Sequence, residues 1–155
     1  MMNKKEMDKD KIEQFINCNN IAVVGVSRNE KKFGNYIFDQ LKEKGKIVFP
    51  VNPYLKEYKI QKCFNSILEL PDEVEAIIFV TKPNITNKLL ASVFEKGIKN
   101  IWFQQGSSNS ETLKMCDEKK LQYVHNACVL MYAEPVKSFH KVHEFIWKLL
   151  GKYAK

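Results

Sequence analysis

Five short apolar runs, at residues 21–26, 46–51, 76–80, 99–103 and 121–125, alternate with segments whose apolar residues recur at helical spacing. Runs of this length bounded by turn residues read as strands buried on both faces. Strands that alternate with helices imply right-handed crossovers and a parallel sheet. The expected class is α/β: a doubly wound, mostly parallel five-stranded sheet with helices on both faces. Helices are expected over 8–17, 34–44, 84–96 and 108–120, the last with Ser108 and Glu111 at capping-box spacing. Residues 54–65 read as a loop with a short extended piece, and 66–70 as one helical turn. An extra C-terminal helix is expected over 135–150, with Val136, Phe139, Val142, His143, Ile146, Trp147 and Leu150 on one stripe.

A sheet of this kind takes ligands outside the carboxyl ends of its strands, near the point where strand order reverses. The first such end, Gly25-Val26-Ser27-Arg28, leads through Lys31 and Lys32 to Gly34 and a helix start. Such a junction receives anions, because backbone N–H groups and the helix dipole point at it. Gly25 lets the backbone approach a ligand closely. Ser27 supplies a hydroxyl, and Arg28, Lys31 and Lys32 supply charge. The spacing is neither Gly-x-Gly-x-x-Gly nor a Walker loop, since residues 26–33 hold no glycine.

The second strand ends at Val51-Asn52-Pro53, without the Asp or Glu that holds the ribose of NAD. After the third strand come Val80, Thr81 and Lys82, the last pushed toward extended backbone by Pro83. Lys82 is placed to meet a phosphate or to sit in water. Gln104 and Gly106 end the fourth strand, where a glutamine can bond ligand amides or face solvent. Cys128 follows the fifth and reads as a buried thiol unless its pKa is lowered. His125, His140 and His143 raise a metal reading, but His143 falls on the apolar stripe and no metal is expected. Glu134 reads as a helix-dipole partner. No Ser-His-Asp, Cys-His or paired-carboxylate arrangement stands out.

One domain over 1–155, with its core at about 12–131, suits a chain of 155 residues that is 45% apolar and 28% charged. No apolar stretch approaches the roughly 18–20 residues of a membrane span. Residues 1–11 are charged and lack an apolar signal region, so a cytoplasmic location is expected. Four cysteines without a Cys-x-x-Cys fit reduced thiols. The net charge of +7 favours anionic partners, but its lysines are scattered among acids and no nucleic-acid motif is present, so nucleic acid is not an expected partner.

Taken in order, Ala22-Val23-Val24-Gly25-Val26-Ser27, Val48-Phe49-Pro50-Val51-Asn52-Pro53, Phe79-Val80-Thr81-Lys82-Pro83, Ile101-Trp102-Phe103-Gln104-Gln105-Gly106 and Cys128 form a set. The chain that carries it resembles the small stand-alone CoA-binding proteins. Their Rossmann-like domain is shared with the α subunit of succinyl-CoA synthetase and with nucleotide-forming acyl-CoA synthetases. The resemblance implies coenzyme A or acyl-CoA as cofactor, lying across the strand ends. Gly25, Val26, Ser27 and Arg28, with the helix that follows, would take the pyrophosphate. Arg28, Lys31, Lys32 or Lys82 would neutralise the ribose 3′-phosphate. Val51, Asn52 and Pro53 would border the adenosine with Val80 and Thr81. Gln104 and Gly106 would flank the pantetheine arm and bring its thiol toward Cys128.

The larger relatives are ligases through further domains, so the expectation here is binding without catalysis, with redox coupling through Cys128 as a further reading. An NAD(P)-dependent oxidoreductase or redox sensor is the first alternative, against which Asn52 and the missing Gly-rich turn count. The second alternative is a protein-interaction subunit of a larger acyl-CoA enzyme. In it the 135–150 helix docks a protein partner or a second copy of the chain.

Overall fold

The computed structural model describes residues 4–132. The expected 135–150 helix, with Glu134, His140, His143 and Trp147, lies outside the described residues. The chain runs α1 (Lys4–Ile16), β1 (Asn20–Val24), α2 (Phe33–Glu43), β2 (Ile47–Val51), β3 (Glu57–Tyr58), β4 (Gln61–Lys62), β5 (Ala76–Phe79), α3 (Pro83–Lys96), β6 (Asn100–Phe103), α4 (Ser110–Glu118) and β7 (Gln122–Val124). Single 3-10 turns cover Ile67–Glu69 and Val129–Met131.

The main sheet has the order β2-β1-β5-β6-β7, and every pair in it is parallel. All five carboxyl ends therefore share one rim. The order reverses between β1 and β5, where the Val24–Phe79 register brings two strand ends side by side. This is the switch point at which such sheets bind ligands. The architecture is the parallel five-stranded α/β sheet expected from the strand–helix alternation, and the Rossmann-like arrangement that the resemblance implies.

Both faces are covered because the strand residues are apolar on both sides. One face packs Ile37, Phe38 and Leu41 of α2 and Phe15 of α1 against Ile21, Val23, Ile78 and Trp102. The other packs Leu90 and Val93 of α3 and Cys116 of α4 against Ala22, Ile77, Phe79, Ile101 and Phe103. Burying each large side chain contributes roughly 1.5–3 kcal/mol. Trp102 anchors the first face: Phe15 meets its ring edge-on at 5.2 Å, and its Nε1 donates to the Ala127 carbonyl at 2.9 Å.

Element boundaries differ from expectation for local reasons. α1 begins at Lys4 rather than residue 8, since its first turns are charged helix formers without apolar periodicity. β1 ends at Val24, because Gly25 has φ +127° and leaves the ladder. The α4 cap lies one residue later than expected. Asn109, not Ser108, accepts from the Thr112 N–H at 3.0 Å, and Thr112 Oγ1, not Glu111, accepts from the Asn109 N–H at 3.0 Å.

The short extended piece expected within the 54–65 loop is a β3–β4 hairpin, which packs on α2 through an edge-on Phe38–Tyr58 contact and a Lys59–Asp39 ion pair. The chain then runs along the outer side of β2. There the Phe64 N–H donates to the Pro50 carbonyl, the Asn52 N–H donates to the Phe64 carbonyl, and Gln61 Nε2 donates to the Val48 carbonyl. That outward-facing backbone is also why β2 tolerates Pro50.

The opposite end of the sheet, at the strand N-termini, is braced by two charged groups. Lys46 Nζ donates to the carbonyls of Ile16 and Cys18 at 2.6 and 2.8 Å, closing the end of α1. Glu75 Oε2 accepts the backbone N–H groups of Asn19 and Asn20 at 2.8 and 3.0 Å. Those bonds hold its carboxyl below the usual carboxylate range.

Candidate functional site at the switch point

The rim is built first from two glycines. A side chain at Gly34, in the first turn of α2, would overlap the Gly25 carbonyl oxygen. A Cβ on Gly25 would stand 3.0 Å from the Val80 carbonyl oxygen. The end of β1 is therefore held between the start of α2 and the β5–α3 connection, backbone against backbone. The expectation had Gly25 approaching a ligand; the structure adds that it approaches Val80.

Side-chain amides fix the loop that follows. Asn35 is buried, and its Oδ1 accepts the Ser27 N–H at 2.7 Å. Its Nδ2 donates to the carbonyls of Ser27 and Asn29 at 2.8 and 3.2 Å. Ser27 Oγ accepts the Asn29 N–H at 3.1 Å, so its hydroxyl already closes a local turn. Asn52 ties the neighbouring loop in the same way, donating to the Val26 carbonyl at 2.7 Å and accepting the Tyr54 N–H at 2.7 Å. Sequence reasoning assigned no role to Asn35. The available signal was a polar amide one residue after a glycine, in a turn that otherwise faces the core.

The expected site residues divide into two groups. Val26 turns its side chain into the core, which leaves its backbone at the rim. Gln104 is 2% exposed and faces inward: its Oε1 accepts the Val129 N–H at 2.8 Å, and its Nε2 lies 3.5 Å from Cys128 Sγ. It braces the segment after β7 against the end of β6. Cys128 is buried with it, and burial pushes its thiol up. Thr81 Oγ1 shares a 2.7 Å hydrogen bond with buried Thr86.

Arg28, Lys31, Lys32, Pro53, Lys82 and Gly106 are exposed on the rim. Among the described residues, the side chains of Lys31, Lys32 and Lys82 make no hydrogen bond or ion pair, while Arg28 Nη2 donates to the Tyr54 carbonyl at 3.3 Å. Exposed Glu30 is the acid in their midst and pairs with none of them.

The helix starts carry the clearest chemical sign. α2 and α3 begin at the ends of β1 and β5, on opposite faces of the sheet, on either side of the switch point. Their N-caps are Lys32 and Lys82, both in extended backbone, and neither makes a side-chain capping bond. Ser, Thr, Asp and Asn are the residues that satisfy such ends, and a cation there opposes the helix dipole. α4, which starts away from the switch point, has a complete capping box. Two lysine-flanked helix N-termini without side-chain caps thus stand on either side of the switch point, and ends of this kind are where anions bind in proteins generally.

Among the described residues no three His, Cys, Asp or Glu side chains group to hold a metal, and no helix is long and apolar enough to cross a membrane. A groove of about 970 Å³ runs along α1, lined by Asp8, Ile12, Ile16 and Tyr132 among others, and includes no rim residue.

Fold and rim together define a Rossmann-like α/β protein whose switch point is bordered by two lysine-flanked helix starts. The chain belongs to the CoA binding domain family, whose model matches residues 19–134. It is 36% identical over 91 residues to the alpha subunit of the ADP-forming acetate–CoA ligase II of Pyrococcus furiosus, a stretch that is 58% of this chain and 20% of that subunit. The chain thus spans about a fifth of that relative. Two solved structures resemble it over most of their own length. One is a conserved hypothetical protein of Pyrococcus furiosus, with TM-score 0.70, 36% identity, and coverage of 72% of this chain and 96% of that one. The other is a hypothetical protein of Pyrococcus horikoshii, with TM-score 0.75, 35% identity, and coverage of 82% and 89%.

Proposed function

We propose that this chain binds coenzyme A or an acyl-CoA across the switch point and performs no catalysis of its own. The pair of lysine-flanked helix N-termini carries the reading, because it suits the pyrophosphate of such a ligand. In this proposal the backbone of Gly25, Val26 and Ser27 and the start of α2 at Gly34 receive the pyrophosphate. Arg28, Lys31, Lys32 and Lys82 neutralise the phosphates. Asn52, Pro53, Val80 and Thr81 border the adenosine, and Gly106 borders the pantetheine arm. Gln104 acts behind the surface by positioning the Cys128 segment. Family membership supports the ligand class.

The NAD(P) alternative is weaker on the same geometry. Asn52 stands where an acid would hold the ribose, and both ends of its amide brace loops. Redox coupling through Cys128 draws no support from a thiol that is 4% exposed and pushed up by burial. The likeness to an acetate–CoA ligase subunit supports a role beside a partner that supplies the chemistry.

Thermal unfolding with and without ligand tests the proposal. At a hundredfold excess over its dissociation constant CoA adds about 2.7 kcal/mol, which raises the midpoint by roughly 5–10 °C for a domain of this size. No shift with CoA or acetyl-CoA, together with a clear shift with NADPH, overturns it.

A further inference from the structure

We propose that Tyr54 is the base-stacking residue of the rim and that Arg28 holds it in register with the phosphate loop; this rests on the CoA reading above. Tyr54 is 84% exposed, the most exposed aromatic side chain among the described residues. Yet its backbone is fixed from both sides. Its N–H donates to Asn52 Oδ1 at 2.7 Å, and its carbonyl accepts from Arg28 Nη2 at 3.3 Å. Asn52 is itself tied to the Val26 carbonyl in the loop after β1.

The ring therefore stands bare in water on a backbone that two loops hold in place, at the end of β2. Every other tyrosine from 36 to 123 is buried or half-buried. An aromatic face held this way suits a flat π-system, and every nucleobase presents one. The Arg28 contact adds selectivity. One guanidinium N–H is used on the Tyr54 carbonyl, which leaves the remaining donors of an exposed cation at the Tyr54 backbone. A stacking face on a residue whose backbone an exposed guanidinium touches, with donors to spare, suits a base whose ribose carries a phosphate, the adenosine 3′-phosphate end of CoA.

The experiment titrates the full chain with CoA, with adenosine 3′,5′-bisphosphate and with 4′-phosphopantetheine, by calorimetry. Tyr54→Ala is expected to weaken CoA and the bisphosphate about tenfold, the equivalent of ~1.4 kcal/mol, and to leave 4′-phosphopantetheine unchanged. Tyr54→Phe and Tyr54→Trp are expected to bind like the parent. An unchanged affinity in Tyr54→Ala overturns the inference, and so does an equal loss for all three ligands. In both cases the CoA reading stands, because the parent still binds. A parent chain that takes up none of the three brings down that reading and this inference with it.

Discussion

The two ends of the sheet treat charge in opposite ways. At the strand N-termini, Lys46 closes α1 through two carbonyls, and Glu75 gathers the backbone N–H groups of Asn19 and Asn20. At the carboxyl rim, Lys31, Lys32 and Lys82 have no partner among the described residues, and two of them sit where a helix start disfavours a cation. One end uses its ions to hold the fold together. The other leaves them unpaired among the described residues, and under the proposed function a bound anion would offset what the two at helix starts cost in stability.

Removing Lys46 gives the largest expected effect. Lys46→Met is expected to lose about 2 kcal/mol, the range for hydrogen bonds from a charged donor, with CoA affinity unchanged; urea unfolding beside calorimetry checks both. A loss of CoA binding there would break the separation between the ends.

The rim lysines should respond with the reverse sign. Lys32→Ser with Lys82→Ser supplies two caps and is expected to raise stability by about 1–2 kcal/mol while weakening CoA roughly fivefold. A double variant that gains no stability and binds as before would reduce these lysines to solvated surface.

The smallest effect concerns Glu75. Its carboxyl is depressed in the folded chain, so the stability it contributes is present above the ordinary value of 4.5 and is lost as pH falls through the lowered folded value. Parent and Glu75→Gln midpoints should accordingly differ at neutral pH and converge below about pH 4.5. A constant gap across that range would mean that the carboxylate charge is not what ties Asn19 and Asn20.

Strand–helix alternation and the shared rim were legible in the sequence because period and parallel topology leave little choice. The buried runs Ile21–Val24 and Ile77–Phe79 read as strands on apolarity alone, and their carboxyl ends had to lie together. Amide direction was not legible. Asn35, Asn52 and Gln104 each spend both ends of the amide on partners that the fold alone brings near. An exposed ligand contact and an internal brace look the same in one dimension. The β3–β4 hairpin was hidden because its turn residues, Lys59 and Ile60, have positive φ without the Asn-Gly signal such turns favour. The uncapped helix starts were visible as lysines before a helix, but their placement on either side of the switch point follows only from the strand order.

The strip of chain along β2 has a consequence for polymerisation. With Phe64, Asn52 and Gln61 occupying the outer backbone of that strand, the described sheet offers one unpaired border, at the three-residue β7. An edge-to-edge pairing through β7 would use up that border in both copies and stop at two, whereas a sheet open on both sides can add copies without end.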